Sequence, residues 1–86
     1  MKDKYIVYIL LSLKDKKLYI GCTSSLKKRI IRHMQGYVLA TKDRRPLELL
    51  YYEVIESKEL AFQRERFLKS LWSSRFKSYL KKLNLP

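Results

Sequence analysis

The sequence predicts an α+β domain: a small, three-stranded, mainly antiparallel sheet flanked by helices, in the order ββαβαα. Two observations support this prediction. Three runs are rich in β-branched, aromatic and other apolar residues, and three others repeat apolar residues at helical spacing. Because 86 residues suffice for only one modest hydrophobic core, we expect residues 1–86 to form a single domain.

The first two strands are predicted to form a hairpin. Residues 5–12 are apolar or aromatic on both faces, which indicates a central strand covered on two sides. The polar break at 14–17 has the size of a hairpin loop, and the returning strand follows at 18–20. Tyr8 and Tyr19 share a face of the sheet only if the loop has an even number of residues, and the sequence leaves this open.

The first helix is bracketed by a cap and a stop. Ser24 or Ser25 is a candidate N-cap and Gly36 a candidate C-terminal stop, which allows about three turns. Arg29 and His33 are predicted to lie together along one border of the apolar stripe of this helix. The stripe itself comprises Leu26, Ile30, Ile31 and Met34.

The second half of the chain predicts one more strand and two helices. An irregular basic link at 37–46 precedes a strand of strong β-formers at 47–55. Ser57 is the candidate cap of a second helix, with Glu65 on the border of its buried stripe. That stripe comprises Leu60, Ala61, Phe67, Leu68, Leu71 and Trp72. A short C-terminal helix is predicted from Phe76, Tyr79, Leu80 and Leu83.

The charge balance predicts an anionic partner. Twenty Lys and Arg residues against eight Asp and Glu give a net charge of +12, whose self-repulsion destabilises the folded chain. Nucleic acid fits best, because each phosphate contact releases counterions, whereas an acidic protein or a membrane surface is the rival partner. No apolar run approaches the roughly 18 residues that span a bilayer. A single cysteine, Cys22, and no secretory signal favour a cytoplasmic location.

The candidate chemical groups suit the cleavage of a phosphate ester. That reaction needs a cation against the developing negative charge, a metal as Lewis acid and a group that accepts a proton from water. Arg29 is a candidate for the cation and Glu65 for a metal ligand. Tyr8, Tyr19 and His33 are candidates for proton relay. Each also has a common structural explanation: a solvated glutamate, a packed histidine or core tyrosines.

Four segments of the chain match a known family pattern: YIVYIL, YIGCTSSLKKRI, TKDRRPLELLYYE and SKELAFQRERFLKSLW. In this order they resemble the GIY-YIG nuclease superfamily. The chain is most similar to its small single-domain bacterial members, which resemble the nuclease domain of the excision-repair endonuclease. The resemblance extends from about Tyr5 to Leu71, which is nearly the whole chain.

The resemblance implies a role for each of five residues. Tyr8 would position or deprotonate the attacking water, and Tyr19 would hydrogen-bond near the scissile phosphate. Arg29 would stabilise the phosphate, and His33 would assist proton transfer. Glu65 would be the single protein ligand of a divalent metal, Mg²⁺ or Mn²⁺.

The resemblance also suggests how DNA is held. Gly21 is expected to end the second strand, where a side chain would crowd the approaching backbone. Phosphates flanking the cleaved bond would be contacted by cations that carry no base preference. The candidates are Lys27, Lys28, Arg32, Lys42, Arg44, Arg45 and Lys69.

The implied activity is metal-dependent endonucleolytic hydrolysis of DNA, selective for DNA structure and related to repair, with RNA left open as a substrate. The alternative is a nucleic-acid-binding module of the same fold that cuts weakly or not at all. Two observations motivate this alternative: the net charge of +12, and Lys77 at a position where many members of the family carry an asparagine.

Overall fold

The computed structural model describes residues 4–71 and confirms the predicted α+β architecture. The strands are β1 (Tyr5–Ser12), β2 (Leu18–Thr23) and β3 (Leu47–Ile55), and the helices are α1 (Leu26–Gln35) and α2 (Lys58–Leu71). A short 3₁₀ turn, Lys42–Arg44, lies in the link between α1 and β3. The predicted C-terminal helix, Trp72 and Lys77 lie outside the described residues. Within residues 4–71, neither helix has the length and apolar character needed to cross a membrane.

The sheet is antiparallel, with strand order β2-β1-β3, so β1 is central as predicted. The hairpin register settles the question that the sequence left open. Tyr8 lies opposite Gly21, and Leu10 lies opposite Tyr19. Because Tyr8 and Leu10 are two residues apart, Tyr8 and Tyr19 point to the same face of the sheet.

The two helices pack on opposite faces of the sheet. One core joins the sheet to α2 and contains Val7, Ile9, Leu11, Leu18, Ile20, Ala61 and Leu68. The other joins it to α1 and contains Tyr8, Leu10 and Leu47, with Leu26 and Ile30 packed against them. Since β1 contributes alternate residues to both cores, it is buried on both faces from Val7 onward.

The predicted helix ends are largely confirmed. Ser25, rather than Ser24, is the N-cap of α1, and its backbone is extended. Gly36 ends α1 in the left-handed region with φ of 83°, and its N–H donates to the His33 carbonyl at 3.1 Å. At the start of α2, the Ser57 hydroxyl accepts a hydrogen bond from the Leu60 N–H at 3.1 Å.

The predicted apolar stripe of α1 was partly wrong. Ile31 and Met34 are exposed, at 46% and 43%, whereas His33 is fully buried. The inward face instead follows Leu26, Ile30 and His33, which have the spacing i, i+4 and i+7. His33 therefore occupies the centre of the buried face of the helix and not its border.

The predicted stripe of α2 was also too wide. Ala61 and Leu68 are buried as predicted, but Leu60 and Phe67 are about half exposed. The small side chain of Ala61 lets α2 lie close to the sheet along the line of Ala61 and Leu68, which leaves the flanking residues outside the contact. Leu71 is also exposed, at 37%.

Replacing Gly36 with alanine should destabilise the fold by about 1–2 kcal/mol, because a side chain disfavours positive φ. A Cβ at this position would also lie 2.8 Å from the guanidinium carbon of Arg45. Urea denaturation measures the change, and Gln35→Ala, at the exposed end of the same helix, is the matched control. Equal midpoints for the two variants would contradict the assignment of Gly36 as a conformational stop.

Candidate active site

Three rings meet on the α1 face of the sheet. The Tyr8 hydroxyl lies 2.9 Å from Nε2 of His33, and both residues are fully buried. The ring centroids of Tyr19 and His33 are 5.2 Å apart in an edge-to-face arrangement. The ring centroids of Tyr8 and Tyr19 are 6.3 Å apart. The structure therefore brings together three of the five predicted chemical residues in direct contact.

Gly21 makes room for this cluster. A Cβ at position 21 would lie 2.5 Å from both Cζ and the hydroxyl oxygen of Tyr8, and 3.0 Å from Cε1 of Tyr19. The expectation that Gly21 ends the strand was wrong, because β2 continues to Thr23. Because Gly21 has no side chain, it leaves space on the α1 face of the sheet for the ring of Tyr8, the residue paired with it on β1.

Both ring nitrogens of His33 are hydrogen-bonded. Nε2 contacts the Tyr8 hydroxyl, and Nδ1 lies 2.7 Å from Oγ1 of Thr41, which is itself fully buried. Sequence reasoning missed Thr41, because a threonine within a basic link has no spacing that marks it as a partner of a helix residue. No buried side-chain nitrogen or oxygen among residues 4–71 lacks a hydrogen-bond partner.

The surroundings keep both members of the Tyr8–His33 pair uncharged at neutral pH. Burial raises the pKa of Tyr8 far above its ordinary value; Tyr19 adds to the rise, and the positive charge of Arg29 opposes it. Burial, and to a smaller extent the positive charge of Arg29, together lower the pKa of His33 to about 4. Arg29, half-buried on α1, thus acts electrostatically on both groups.

Glu65 lies on α2, which packs on the face of the sheet opposite to α1. Its side chain is 19% exposed, and its Oε2 is 3.0 Å from Nζ of Lys69. Its negative charge nevertheless raises the pKa of Tyr8 and of Cys22, and Arg29 lowers the pKa of the same two groups. Charges on the two helices, which lie on opposite faces of the sheet, thus act on the same two residues, Tyr8 of β1 and Cys22 of β2.

The donor set around Glu65 fits only one kind of metal. Within residues 4–71 no three His, Cys, Asp or Glu side chains are grouped to hold an ion. Zinc in proteins takes three or four such ligands, whereas Mg²⁺ retains waters and often needs one or two carboxylates. The Glu65 carboxylate pairs with the Lys69 ammonium and borders an open cavity of about 250 Å³, which is also lined by Phe62, Arg66 and Lys69. Its single carboxylate is a ligand for a hydrated Mg²⁺ rather than for zinc, and the two neighbouring cations oppose a divalent ion there.

Three of the predicted DNA-contacting cations bind other parts of the chain in this structure. Arg44 forms an ion pair with Asp15 at 3.0 Å. Arg45 donates hydrogen bonds to the backbone carbonyls of Lys42 and Met34, at 2.9 and 3.3 Å. Lys69 pairs with Glu65. Arg44 and Arg45 thereby stabilise the position of the basic link. The sequence did not predict these intramolecular contacts, because the partners of each arginine are distant or irregularly spaced along the chain.

The other four cations are exposed. Lys27, Lys28 and Lys42 have exposed side chains, with no hydrogen bond or ion pair from their ammonium groups to residues 4–71. The guanidinium of Arg32 lies 6.0 Å from the ring centroid of Tyr37, which is 66% exposed. Lys42 also borders an open cleft of about 490 Å³. These side chains offer positive charge to an anion in solution.

His33 should titrate near pH 4 in the folded protein, because burial and Arg29 both disfavour its charged form. It is the single histidine of the chain, so one imidazole signal in an NMR pH titration reports it directly. A midpoint near 6.5, the ordinary value, would contradict the burial of an uncharged ring.

The lowered pKa of His33 also determines how the free energy of unfolding changes with pH. Between pH 6.5 and about 4 the unfolded chain binds a proton that the folded chain does not, so stability should fall as the pH is lowered. The slope from this one group is at most about 1.4 kcal/mol per pH unit. In urea denaturation, stability should fall more steeply with decreasing pH in the native protein than in a folded His33→Gln variant, which retains only the contributions of carboxylates such as Asp15 and Glu53.

Comparison with known proteins supports a single assignment. Residues 4–84 match the GIY-YIG catalytic domain. A UPF0213 protein of Staphylococcus saprophyticus is 41% identical over 69 residues, which cover 79% of this chain and 83% of the relative. A UPF0213 protein of Streptococcus pyogenes (strain Manfredo) is 43% identical over 70 residues, which cover 80% and 76% of the two chains. The resemblance found in the sequence is thus confirmed: the chain belongs to the GIY-YIG catalytic domain family, whose general activity is that of nucleases.

Proposed function

We propose that this chain is a divalent-metal-dependent endonuclease that hydrolyses DNA phosphodiester bonds. The observation that carries the proposal is the buried hydrogen bond between Tyr8 and His33. This pair lies within the electrostatic reach of Arg29, and Tyr8 also within that of Glu65. A proton acceptor, a fixed cation and a carboxylate are the groups that hydrolysis of a phosphodiester requires.

Tyr8 and His33 would handle the proton of the attacking water. Tyr8 is a neutral phenol at pH 7; its side chain is fully buried in the free chain, and its hydroxyl would orient a water molecule that enters with the substrate. His33 is a neutral imidazole at the same pH, so one of its nitrogens has a lone pair that can accept a proton. The pair thus forms a short path that leads the proton away from the water oxygen as it attacks phosphorus.

Arg29 would stabilise the charge that develops on the phosphate oxygens. Its guanidinium is planar and can hold two such oxygens at once. Glu65 would hold Mg²⁺ or Mn²⁺, and the bound metal would supply Lewis-acid stabilisation to the phosphate and the leaving oxygen. Tyr19, whose ring contacts His33, would hydrogen-bond near the same phosphate.

The exposed cations would bind the flanking DNA backbone. Lys27, Lys28 and Arg32 lie on the outer surface of α1, the helix that carries Arg29 and His33. Contacts to phosphates carry no sequence information, and a domain of this size has little surface for base readout. We therefore propose selectivity for branches or strand breaks over base sequence, in keeping with a role in DNA repair.

One observation favours the alternative of a weakly cutting binding module. The Glu65 carboxylate is engaged by Lys69 at 3.0 Å, so a metal ion must displace or share this ammonium group. An i, i+4 ion pair on one helix, here with Lys69 more than half exposed, contributes well under 1 kcal/mol, which a divalent cation can overcome. The pair therefore weakens metal binding without preventing it, and the nuclease remains the better proposal.

Glu65→Gln should lower the cleavage rate by about 100-fold or more, since it removes the negative charge that holds the metal. The assay uses branched, nicked, single-stranded and duplex DNA with Mg²⁺ or Mn²⁺. Glu59→Gln, an exposed position on the same helix, is the matched control and should cut at the native rate. Fluorescence anisotropy should show that both variants still bind DNA.

Two results would count against the nuclease. Cleavage by Glu65→Gln at the native rate would remove Glu65 from the proposed site. Binding of all four DNA substrates by the native protein, without metal-dependent cleavage of any of them, would leave the binding module as the function.

Replacing Lys27 and Lys28 together with glutamine should reduce the salt dependence of DNA binding. Each lost phosphate contact lowers the slope of log affinity against log salt by about one. Lys16→Gln, in the turn between β1 and β2, is the control and should keep the native slope. An unchanged slope in the double variant would show that DNA binds elsewhere on the surface.

A further inference from the structure

Thr41 is a fully buried polar residue to which the proposed function assigns no role. It lies in the link between α1 and β3, where it caps the 3₁₀ turn Lys42–Arg44. Its backbone N–H donates to the Val38 carbonyl at 3.0 Å, and its own carbonyl accepts from the Arg44 N–H at 2.9 Å. The backbone of Thr41 is therefore held on both sides, and its hydroxyl has a defined position.

The Thr41 hydroxyl connects a backbone carbonyl to the His33 ring. Oγ1 donates a long hydrogen bond to the Val38 carbonyl at 3.5 Å, and it lies 2.7 Å from Nδ1 of His33. A hydroxyl has a single hydrogen, whereas a carbonyl oxygen can only accept. When its hydrogen is directed to Val38, Oγ1 accepts a hydrogen bond from the ring, and in this arrangement Nδ1 of His33 carries the proton.

The other ring nitrogen then follows. A neutral imidazole has one N–H, so Nε2 presents a lone pair when Nδ1 is protonated. This lone pair faces the Tyr8 hydroxyl at 2.9 Å, and in this tautomer it is the acceptor of the Tyr8 hydrogen. The ring is neutral at pH 7 because burial and Arg29 lower its pKa, while Tyr8 and Tyr19 contact it from the sheet.

We propose that Thr41 is a positioning residue that holds His33 in the Nδ1–H tautomer, so that Nε2 can accept the proton of Tyr8. The tautomer is inferred from the contacts of Thr41 with His33 and Val38, and its catalytic consequence rests on the proposed function. In the opposite tautomer Nε2–H would point at Tyr8, and His33 would have no lone pair on the side of the reaction.

The proposed direction of transfer balances the hydrolysis step. One O–H bond of the water breaks, and its proton passes to the Tyr8 oxygen as the Tyr8 proton passes to Nε2 of His33. The freed electron pair of the water oxygen forms the new bond to phosphorus, and the bond to the leaving oxygen breaks with its electrons. His33 becomes an imidazolium whose Nδ1–H still donates to Thr41, so the charged form keeps its hydrogen bond.

The tautomer can be measured without any nuclease assay. The chain contains one histidine, so ¹⁵N NMR of the full-length, DNA-free protein at pH 7 shows one pair of imidazole nitrogens. We expect Nδ1 to have the chemical shift of a protonated nitrogen and Nε2 that of an unprotonated one. The reverse pattern, or an average of the two tautomers, would overturn the proposal.

Two variants separate positioning from packing. Thr41→Val keeps the shape of the side chain but removes the hydrogen-bond acceptor, whereas Thr41→Ser keeps the hydroxyl. We expect Thr41→Val to shift the ¹⁵N pattern towards the Nε2–H tautomer and to lower kcat by about 10- to 100-fold, with KM for DNA near the native value. Thr41→Ser should restore the native tautomer and most of the native kcat.

The matched control is Thr23→Val, at a second buried threonine whose hydroxyl bonds the backbone of Ser25. It should leave the His33 signals and kcat close to native. A folded Thr41→Val protein with native kcat and the native ¹⁵N pattern would overturn the proposal. If Thr41→Val does not fold, the native spectrum and Thr41→Ser still decide the tautomer, and an inactive native protein would refute the nuclease but not the tautomer.

Discussion

The hydrogen bond between Tyr8 and His33 is the interaction on which the rest of the α1 face depends. It joins two fully buried polar groups that are 25 residues apart. A buried polar group without a partner costs about 1–3 kcal/mol, so each must be satisfied inside the protein. Gly21 leaves room for the Tyr8 ring, and Thr41 satisfies the second ring nitrogen of His33. The Tyr8–His33 contact also sets the rotation of α1 about its own axis, because only this rotation points His33 towards the sheet.

Local sequence patterns predicted most of the secondary structure, because they act through nearest neighbours along the chain. The bounds of β1 and β3 agree with the runs of β-forming residues at 5–12 and 47–55. Gly36 and Ser57 ended and began their helices as predicted, since each acts on backbone groups within four residues. For these elements the local preference and the tertiary packing agree.

The parts that the sequence did not predict depend on packing between distant segments. The rotation of α1 follows from a contact of His33 with Tyr8, and hydrophobic spacing instead favoured Met34. Thr41 became a partner of His33 only through the path of the link after α1. Likewise, the sequence suggested that Arg44 is a cation available to DNA, whereas in the fold its guanidinium lies 3.0 Å from the carboxylate of Asp15. Charge and polarity alone did not distinguish a structural contact from a surface that binds a ligand.

The two helices that lie on opposite faces of the sheet are also far apart along the chain, and this order has a consequence for protein synthesis. Tyr8, Tyr19, Arg29 and His33 all belong to the first hairpin and helix, whereas Glu65 is supplied by the last described element. A growing chain on the ribosome therefore acquires Arg29 and His33 before Glu65, the proposed ligand of the metal. Under the proposed function, a truncated translation product would adhere to nucleic acid but leave it intact.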